Sequence, residues 1–316
     1  MSLPKLFRAL VVLTAFAAAA GLAMIAAAAL SGVGHRWIDI LAQFTAPALI
    51  GALLLMAAGL ILRLWRPALA AGAAAVLLAV AVWPQWAPDR SPGEGPALRL
   101  YTANLYGRNE DVAAMRRSIL DADADVLVLI ELGDAPNAQL DTLLDGWPHR
   151  AVSGRRIGAG GAVRSVIASR QPLQARRLTL HEVETTAAAV QTDFGAIEVI
   201  AVHLTRPWPF QFQWGQIIQV MELGEYRKTL TGTVIAAGDF NSVSTARIGR
   251  QMRDELGLTA APGFPGTWPA KAPGPLRINI DQVYRSPDLV VTERRLGLPT
   301  GSDHRPVITV LRPRAG

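Results

Sequence analysis

Six polar segments sit at the ends of short apolar runs in the C-terminal two-thirds of this 316-residue chain. Leu100-Tyr101-Thr102-Ala103 leads into Asn104, and Val126-Leu127-Val128-Leu129-Ile130 leads into Glu131. Val199-Ile200-Ala201-Val202 delivers His203, and Val234-Ile235-Ala236-Ala237-Gly238 delivers Asp239 and, two residues on, Asn241. Asn279-Ile280-Asp281 enters a further apolar run, and Ser302-Asp303-His304 precedes the last one. Together these residues supply carboxylate and amide oxygens for a hard cation, imidazoles for proton transfer and N–H donors for an anionic oxygen. Taken singly, each has an ordinary explanation. Glu131 reads as a cap, His203 as a rim histidine, GDFN as a turn, Asp281 as an edge residue paired with Arg277 or Arg285, and SDH as a loop cap. The ordered set is much harder to obtain by chance, because every member falls at a strand terminus, a rigid position from which side chains converge. Alternation along a strand also points Asp239 and Asn241 the same way.

The elements that must position them are short. Strands are expected at 98–102, 126–130, 163–168, 187–192, 197–202, 234–237, 282–284 and 307–311, with helices at 112–120 and 216–230. The mixture predicts an α/β domain large enough for two packed sheets with helices outside. No internal repeat is visible.

The first third differs in kind. Between Met1 and Trp83 the only charged residues are Lys5, Arg8, Arg36, Asp39, Arg63 and Arg66. Five of the 31 Lys and Arg and one of the 25 Asp and Glu fall there, leaving 26 and 24 and a net charge of +2 for the rest. A domain gripping nucleic acid non-specifically is ordinarily more basic. Stretches 7–30 and 40–62 reach the ~20 residues of a spanning helix, and 68–83 lies near the lower limit. Apart from Arg8 at an edge, none contains an ionisable group, so the region reads as an anchor rather than a transport path. Lys5, Arg8, Arg63 and Arg66 favour a cytoplasmic N-terminus and an extracytoplasmic C-terminal part. This makes the chain a multi-pass protein of a bacterial-type inner (plasma) membrane, with its catalytic domain on the periplasmic side. Two alternatives stand: residues 1–30 as a cleaved signal peptide, or a third stretch that does not insert and leaves the domain in the cytoplasm. The expected organisation is an all-α membrane anchor at 1–87, a Pro- and Gly-rich linker at 88–95 and a catalytic domain at 96–313. With no Cys, thiolate chemistry and disulfides are excluded.

The motifs YTANLYGRN, VLVLIE, VIAVHLT, AAGDFNS, INIDQVY and GSDHRPV together resemble the endonuclease/exonuclease/phosphatase superfamily. GGAVRSVIASRQP also resembles the family's glycine-to-"SR-P" strand, with Arg164 as a departure. The resemblance spans about residues 98–312 and implies a four-layer α/β sandwich of two face-to-face sheets flanked by helices. It implies a Mg²⁺-dependent (or Mn²⁺-dependent) phosphoesterase in which Glu131, helped by Asn104 and Asp303, holds the metal. His304, oriented by Asp281, would take the proton from an attacking water. Asn241 and His203 would hydrogen-bond the phosphate. Asp239 would orient or activate the nucleophile, or handle a proton on the leaving oxygen. Clustered carboxylates raise one another's pKa unless a cation compensates, so the set makes physical sense with a metal bound.

The segment after His203 contains Arg206, Trp208, Phe210, Phe212 and Trp214. These residues suit stacking on bases, insertion into a lipid interface or simple packing over the core. Arg206, Trp208 and Arg164 are the candidate substrate-binding residues. The expected partners are a membrane and a phosphate-ester substrate, either a lipid headgroup or a nucleic acid. No obligate protein partner is evident. A catalytically dead binding module is disfavoured because the residue set is complete.

Overall fold

The computed structural model describes residues 3–158, 161–178, 180, 184–207 and 212–315. Trp208, one of the candidate substrate contacts, lies outside the described residues, as does Phe210.

Four helices lead: α1 (Leu3–Ser31), α2 (Arg36–Ala42), α3 (Thr45–Ile61) and α4 (Trp65–Trp86). α1 and α4 are each long and apolar enough to cross a membrane. The stretch expected as one span at 40–62 is broken instead: α2 and α3 meet at a 61° bend, and only as a pair do they pass the same test. The physical reason is polar. Asp39 and Gln43 are both buried, and both bond the C-terminal domain, which turns this end of the helix out of line. Nor is the segment at 88–95 a free tether. Asp89 pairs with buried Arg285, Gly93 bridges Arg314, and Glu94 N–H donates to Pro313 O at 2.9 Å.

The remaining chain forms β1 (Leu98–Asn104), α5 (Val112–Ala122), β2 (Val126–Leu132), α6 (Asp134–Ala138), α7 (Leu140–Leu143), β3 (His149–Val152), β4 (Arg156–Gly158), β5 (Gly161–Ser169) and β6 (Leu173–Ala175). It continues as β7 (Glu184–Thr192), β8 (Gly195–His203), α8 (Gln213–Lys228), β9 (Val234–Asp239), α9 (Arg247–Leu256), β10 (Thr259–Ala260), β11 (Asp281–Arg285), β12 (Leu289–Leu296) and β13 (Val307–Pro313). One sheet runs β12-β13-β1-β2-β5-β3, with β4 hanging from β5; the other runs β10-β11-β9-β8-β7-β6.

Period-two burial builds the layers. Leu100, Val128 and Ile130 of the first sheet meet Val199, Ala237 and Val283 of the second in one core. Their neighbours Tyr101, Leu127 and Leu129 face outward onto Met115 and Ile119 of α5 and onto Trp147. Ile200, Val202 and Ala236 likewise face Val220 and Leu223 of α8 and Met252 and Leu256 of α9. Strands apolar on both faces are buried on both, which gives the four-layer α/β sandwich expected from the sequence. α5 is closed at both ends by local chemistry: Asp111 accepts from Ala114 N–H at 2.9 Å, and Asp123 terminates the helix in the left-handed region.

Candidate active site

Strand register gathers the polar residues. β8 and β9 are parallel neighbours with His203 opposite Asp239, and β11 lies antiparallel on the other side of β9 with Asp281 opposite the same Asp239. His203, Asp239 and Asp281 therefore form one row across three strand ends. On the facing sheet Asn104 pairs with Ile130 at the ends of β1 and β2, and Glu131 follows.

Two departures from regular strand geometry aim the side chains. Glu131 has φ 54°, and the β2–β5 register shifts between Leu129 and Leu132. This bulge lets Glu131 turn into the site while Ile130 faces the inter-sheet core and Leu132 the outer one. Asn241 lies beyond β9 with φ 47°, so strand alternation does not extend to it as expected. A left-handed turn brings it back instead: its N–H donates to Asp239 Oδ1 at 2.8 Å, and its Nδ2 donates to Leu204 O at 2.9 Å and Asp239 Oδ2 at 3.2 Å.

The contacts are close. Asn104 Nδ2 donates to Glu131 Oε1 and Asp239 Oδ2, both at 3.0 Å, and so joins the two sheets. His203 Nε2 lies 3.2 Å from Glu131 Oε1 and 4.0 Å from Asp239 Oδ2. His304 Nδ1 sits 2.9 Å from Asp281 Oδ2, and its Nε2 is 3.9 Å from Asp239 Oδ2. Glu131, His203 and Asp239 can bring one ligand atom each within 4.8 Å of one another, as can Asp239, Asp281 and His304.

Burial works against the charge on Glu131, but the hydrogen bond and charge of His203 outweigh it. With the Asn104 amide and Gly107 N–H they hold the carboxyl at about 2. Asp239 is pushed up to about 6, first by burial and then by Asp281, against the pull of both imidazoles. Burial would lower His304, yet Asp281 and Asp239 carry it up to about 10. Three carboxylates thus share a pocket with two imidazoles, a set that is one positive charge short even when both rings are protonated. Hard oxygen donors in such surplus fit a divalent cation.

The structure brings together Asn104, Glu131, His203, Asp239, Asn241, Asp281 and His304. Asp303 lies at the margin, exposed, with its carboxylate accepting from the Trp268 indole at 3.1 Å. Arg206 is exposed on the segment that leaves His203. Arg164 pairs with Leu132 and lies two residues from Val166, on the helix-covered face of its sheet. Sequence reasoning missed the backbone donors of the YGRN segment. Tyr106 N–H donates to Asn104 Oδ1 at 2.9 Å, and Gly107 N–H donates to Glu131 Oε2 at 3.2 Å. It also missed Trp268 and Thr267, whose hydroxyl accepts from Asp281 N–H at 3.3 Å. The glycine after Asn104 was the available signal for the first pair.

A two-sheet sandwich with carboxylates, amides and imidazoles converging at its strand ends defines a class of phosphoester-cleaving hydrolases. The chain belongs to the endonuclease/exonuclease/phosphatase family, whose sequence model matches residues 101–304. Members of that family hydrolyse phosphoester bonds in substrates that include nucleic acids and lipids, using divalent metals. Among solved structures the fold is similar to an endonuclease/exonuclease/phosphatase from Beutenbergia cavernae, at 21% identity over 70% of this chain and 72% of that one, with TM-score 0.56. It is similar to the human Nocturnin catalytic domain at 17% identity, over 69% and 94% of the two chains, with TM-score 0.55. Sphingomyelinase C from Streptomyces griseocarneus matches at 15% identity, over 68% and 99%, with TM-score 0.50. Among curated proteins nothing matches the chain.

Proposed function

We propose that the chain is a membrane-anchored, Mg²⁺-dependent phosphoesterase (Mn²⁺ substituting) that cleaves a phosphodiester or phosphomonoester by in-line attack of water. The observation that carries this reading is the single row His203–Asp239–Asp281 facing Asn104 and Glu131, with His304 between Asp281 and Asp239. Glu131 and Asn104 would hold the cation, and Asp303, at the pocket margin, would add an oxygen ligand on release from the Trp268 indole. Bound there, the cation would neutralise the carboxylates and stabilise charge on the phosphoryl oxygens. Asp281 accepts from His304 Nδ1 and so leaves Nε2 facing the pocket, the atom that takes the water proton once the pocket charge is balanced. Asn241 and His203 donate to the phosphoryl oxygens as charge builds there. Asp239, central to the row and held by Asn104 and Asn241, orients the nucleophile.

The anchor supports a defined topology. Gly32, Gly34, Asp39 and Gln85 all contact the catalytic domain, so the C-terminal ends of α1 and α4 and the elbow before α3 lie on its side. Lys5, Arg8, Arg63 and Arg66 lie at the opposite helix ends. The Lys/Arg-rich side is the cytoplasmic one, which puts the catalytic domain outside a bacterial-type inner membrane. Exposed Phe212 and Trp214 adjoin α2, whose Trp37 and Leu41 are also exposed; this apolar collar favours a phosphoester presented by a lipid headgroup over a nucleic acid.

Purified full-length protein is tested with Mg²⁺ or EDTA on a chromogenic bis-ester, a choline phospholipid and supercoiled DNA. Hydrolysis requires the metal, and Glu131→Ala, Asp239→Ala and His304→Ala each abolish it in folded protein. Wild-type rates in all three variants would refute the mechanism, and cleavage of DNA alone would overturn the lipid preference.

A further inference from the structure

Asp39 and Gln43 are buried polar residues of the elbow, four positions apart and therefore neighbours on one side of the helix. They are 3% and 8% exposed, and neither is satisfied within the anchor alone. Asp39 Oδ1 accepts from Arg247 N–H at 2.7 Å, at the first residue of α9. Ala246, at the cap position of that helix, makes no side-chain cap bond; the carboxylate from α2 caps the helix in its place. Asp39 Oδ2 accepts from Gln213 Nε2 at 2.5 Å, at the first residue of α8. Gln43 Oε1 accepts from Val243 N–H at 2.7 Å, and its Nε2 lies 3.3 Å from Ser242 Oγ.

These partners are not scattered. Ser242 and Val243 directly follow Asn241, and α9 begins four residues later; α8 begins at Gln213. One short helix therefore holds the segment that follows Asn241 together with the starts of α8 and α9. The grip continues inward, because Gln282, next to Asp281, donates to Ser242 O at 3.0 Å. Gln85 at the end of α4 adds a parallel hold, donating to Thr245 Oγ1 at 2.7 Å. An apolar contact of Ala42 with Val243, Ala246, Ile278 and Ile280 seals the junction. Asn241 itself stands in the left-handed region, a backbone state that persists where surrounding structure enforces it.

We propose that Asp39 and Gln43 are positioning residues of the catalytic centre, through which the membrane anchor fixes the segment bearing Asn241. This rests on the phosphoesterase reading above. The anchor is then a structural part of the active site as well as a tether.

The test uses full-length protein in detergent, with Mg²⁺ and a chromogenic bis-ester, well below the unfolding temperature. Asp39→Ala and Gln43→Ala lower kcat by about 10- to 100-fold, the effect of an ångström-scale misplacement of catalytic groups. KM changes little, and Asp39→Asn, which keeps an acceptor for Arg247 N–H, recovers most of the rate. In the alanine variants the amides of Val243 and Arg247 exchange with solvent faster, while those of the inter-sheet strands do not. If one alanine variant is not recovered folded, the other is measured in the same way. Unchanged kcat with only a lowered melting temperature would make these residues structural and overturn the proposal. Wild-type protein inert toward every ester would overturn the phosphoesterase reading instead.

Discussion

His304 is the residue at which charge, burial and pairing are most tightly joined. Its ring is buried, its Nδ1 lies 2.9 Å from Asp281, and the two aspartates carry it from an ordinary 6.5 up to about 10 despite the cost of burial. A histidine whose folded value is raised contributes stability that is complete below its unfolded value and fades as pH rises through the folded one. The metal-free protein should therefore lose stability between about pH 6.5 and pH 10 from this group. Melting curves in EDTA at several pH values across that window measure the loss, and Asp281→Asn, which removes the dominant attraction, flattens it. The same slope in the variant would mean that the pairing is not its source. With metal present, Asp281→Asn also lowers kcat by on the order of 100-fold or more, because a neutral amide no longer stabilises the imidazolium formed when Nε2 takes the proton and can turn its NH2 toward Nδ1, favouring the wrong tautomer.

At the scale of elements, β9 shows why strand ends serve this site. Gly238 has φ +144°, and a Cβ there would lie 2.0 Å from Val202 O on β8. The tight approach of β9 to β8 is what sets Asp239 beside His203. Gly238→Ala should cost about 3 kcal/mol or more, combining backbone strain with a collision that backbone cannot relieve. Gly195, φ +115° with nothing within 4 Å of its would-be Cβ, separates the two causes: Gly195→Ala carries strain only and should cost roughly 1 kcal/mol. Equal melting shifts would show that the close approach does not matter. The strands themselves were readable because runs such as Val126–Ile130 are apolar on both faces and end in a polar residue, a local signal. The left-handed turn at Glu131 was not, since it depends on the bulge against β5, and a glutamate carries no preference for that conformation. The break between α2 and α3 was hidden for a related reason. Averaged hydropathy sees one acidic residue and one glutamine in an apolar stretch, whereas their partners at Val243 and Arg247 lie 200 and 208 residues away.

Over the whole molecule, α1 and α4 are long and apolar enough to cross a bilayer, and with that crossing the alternation of helix ends would decide on which side the chemistry takes place. α1 and α4, at 29 and 22 residues, are about 43 and 33 Å long, against a hydrocarbon core of about 30 Å. Their C-terminal ends both meet the catalytic domain, while Lys5 and the Arg63–Arg66 turn lie at the far ends. Three crossings, with the α2–α3 pair as the middle one, put N-terminus and active site on opposite sides; a middle pair that dips in and returns without crossing puts them there too, provided one of the flanking helices spans and the other does not. A cysteine scan separates these arrangements, and the native chain has no Cys to interfere. Single substitutions at Lys5, at Arg66 and at exposed Lys271 are treated in intact cells with a membrane-impermeant maleimide. Lys271→Cys should label, while Lys5→Cys and Arg66→Cys label only after lysis. Labelling of Arg66→Cys with Lys271→Cys would show that α4 does not cross, and protection of Lys271→Cys would place the hydrolase in the cytoplasm, facing a different pool of phosphoesters.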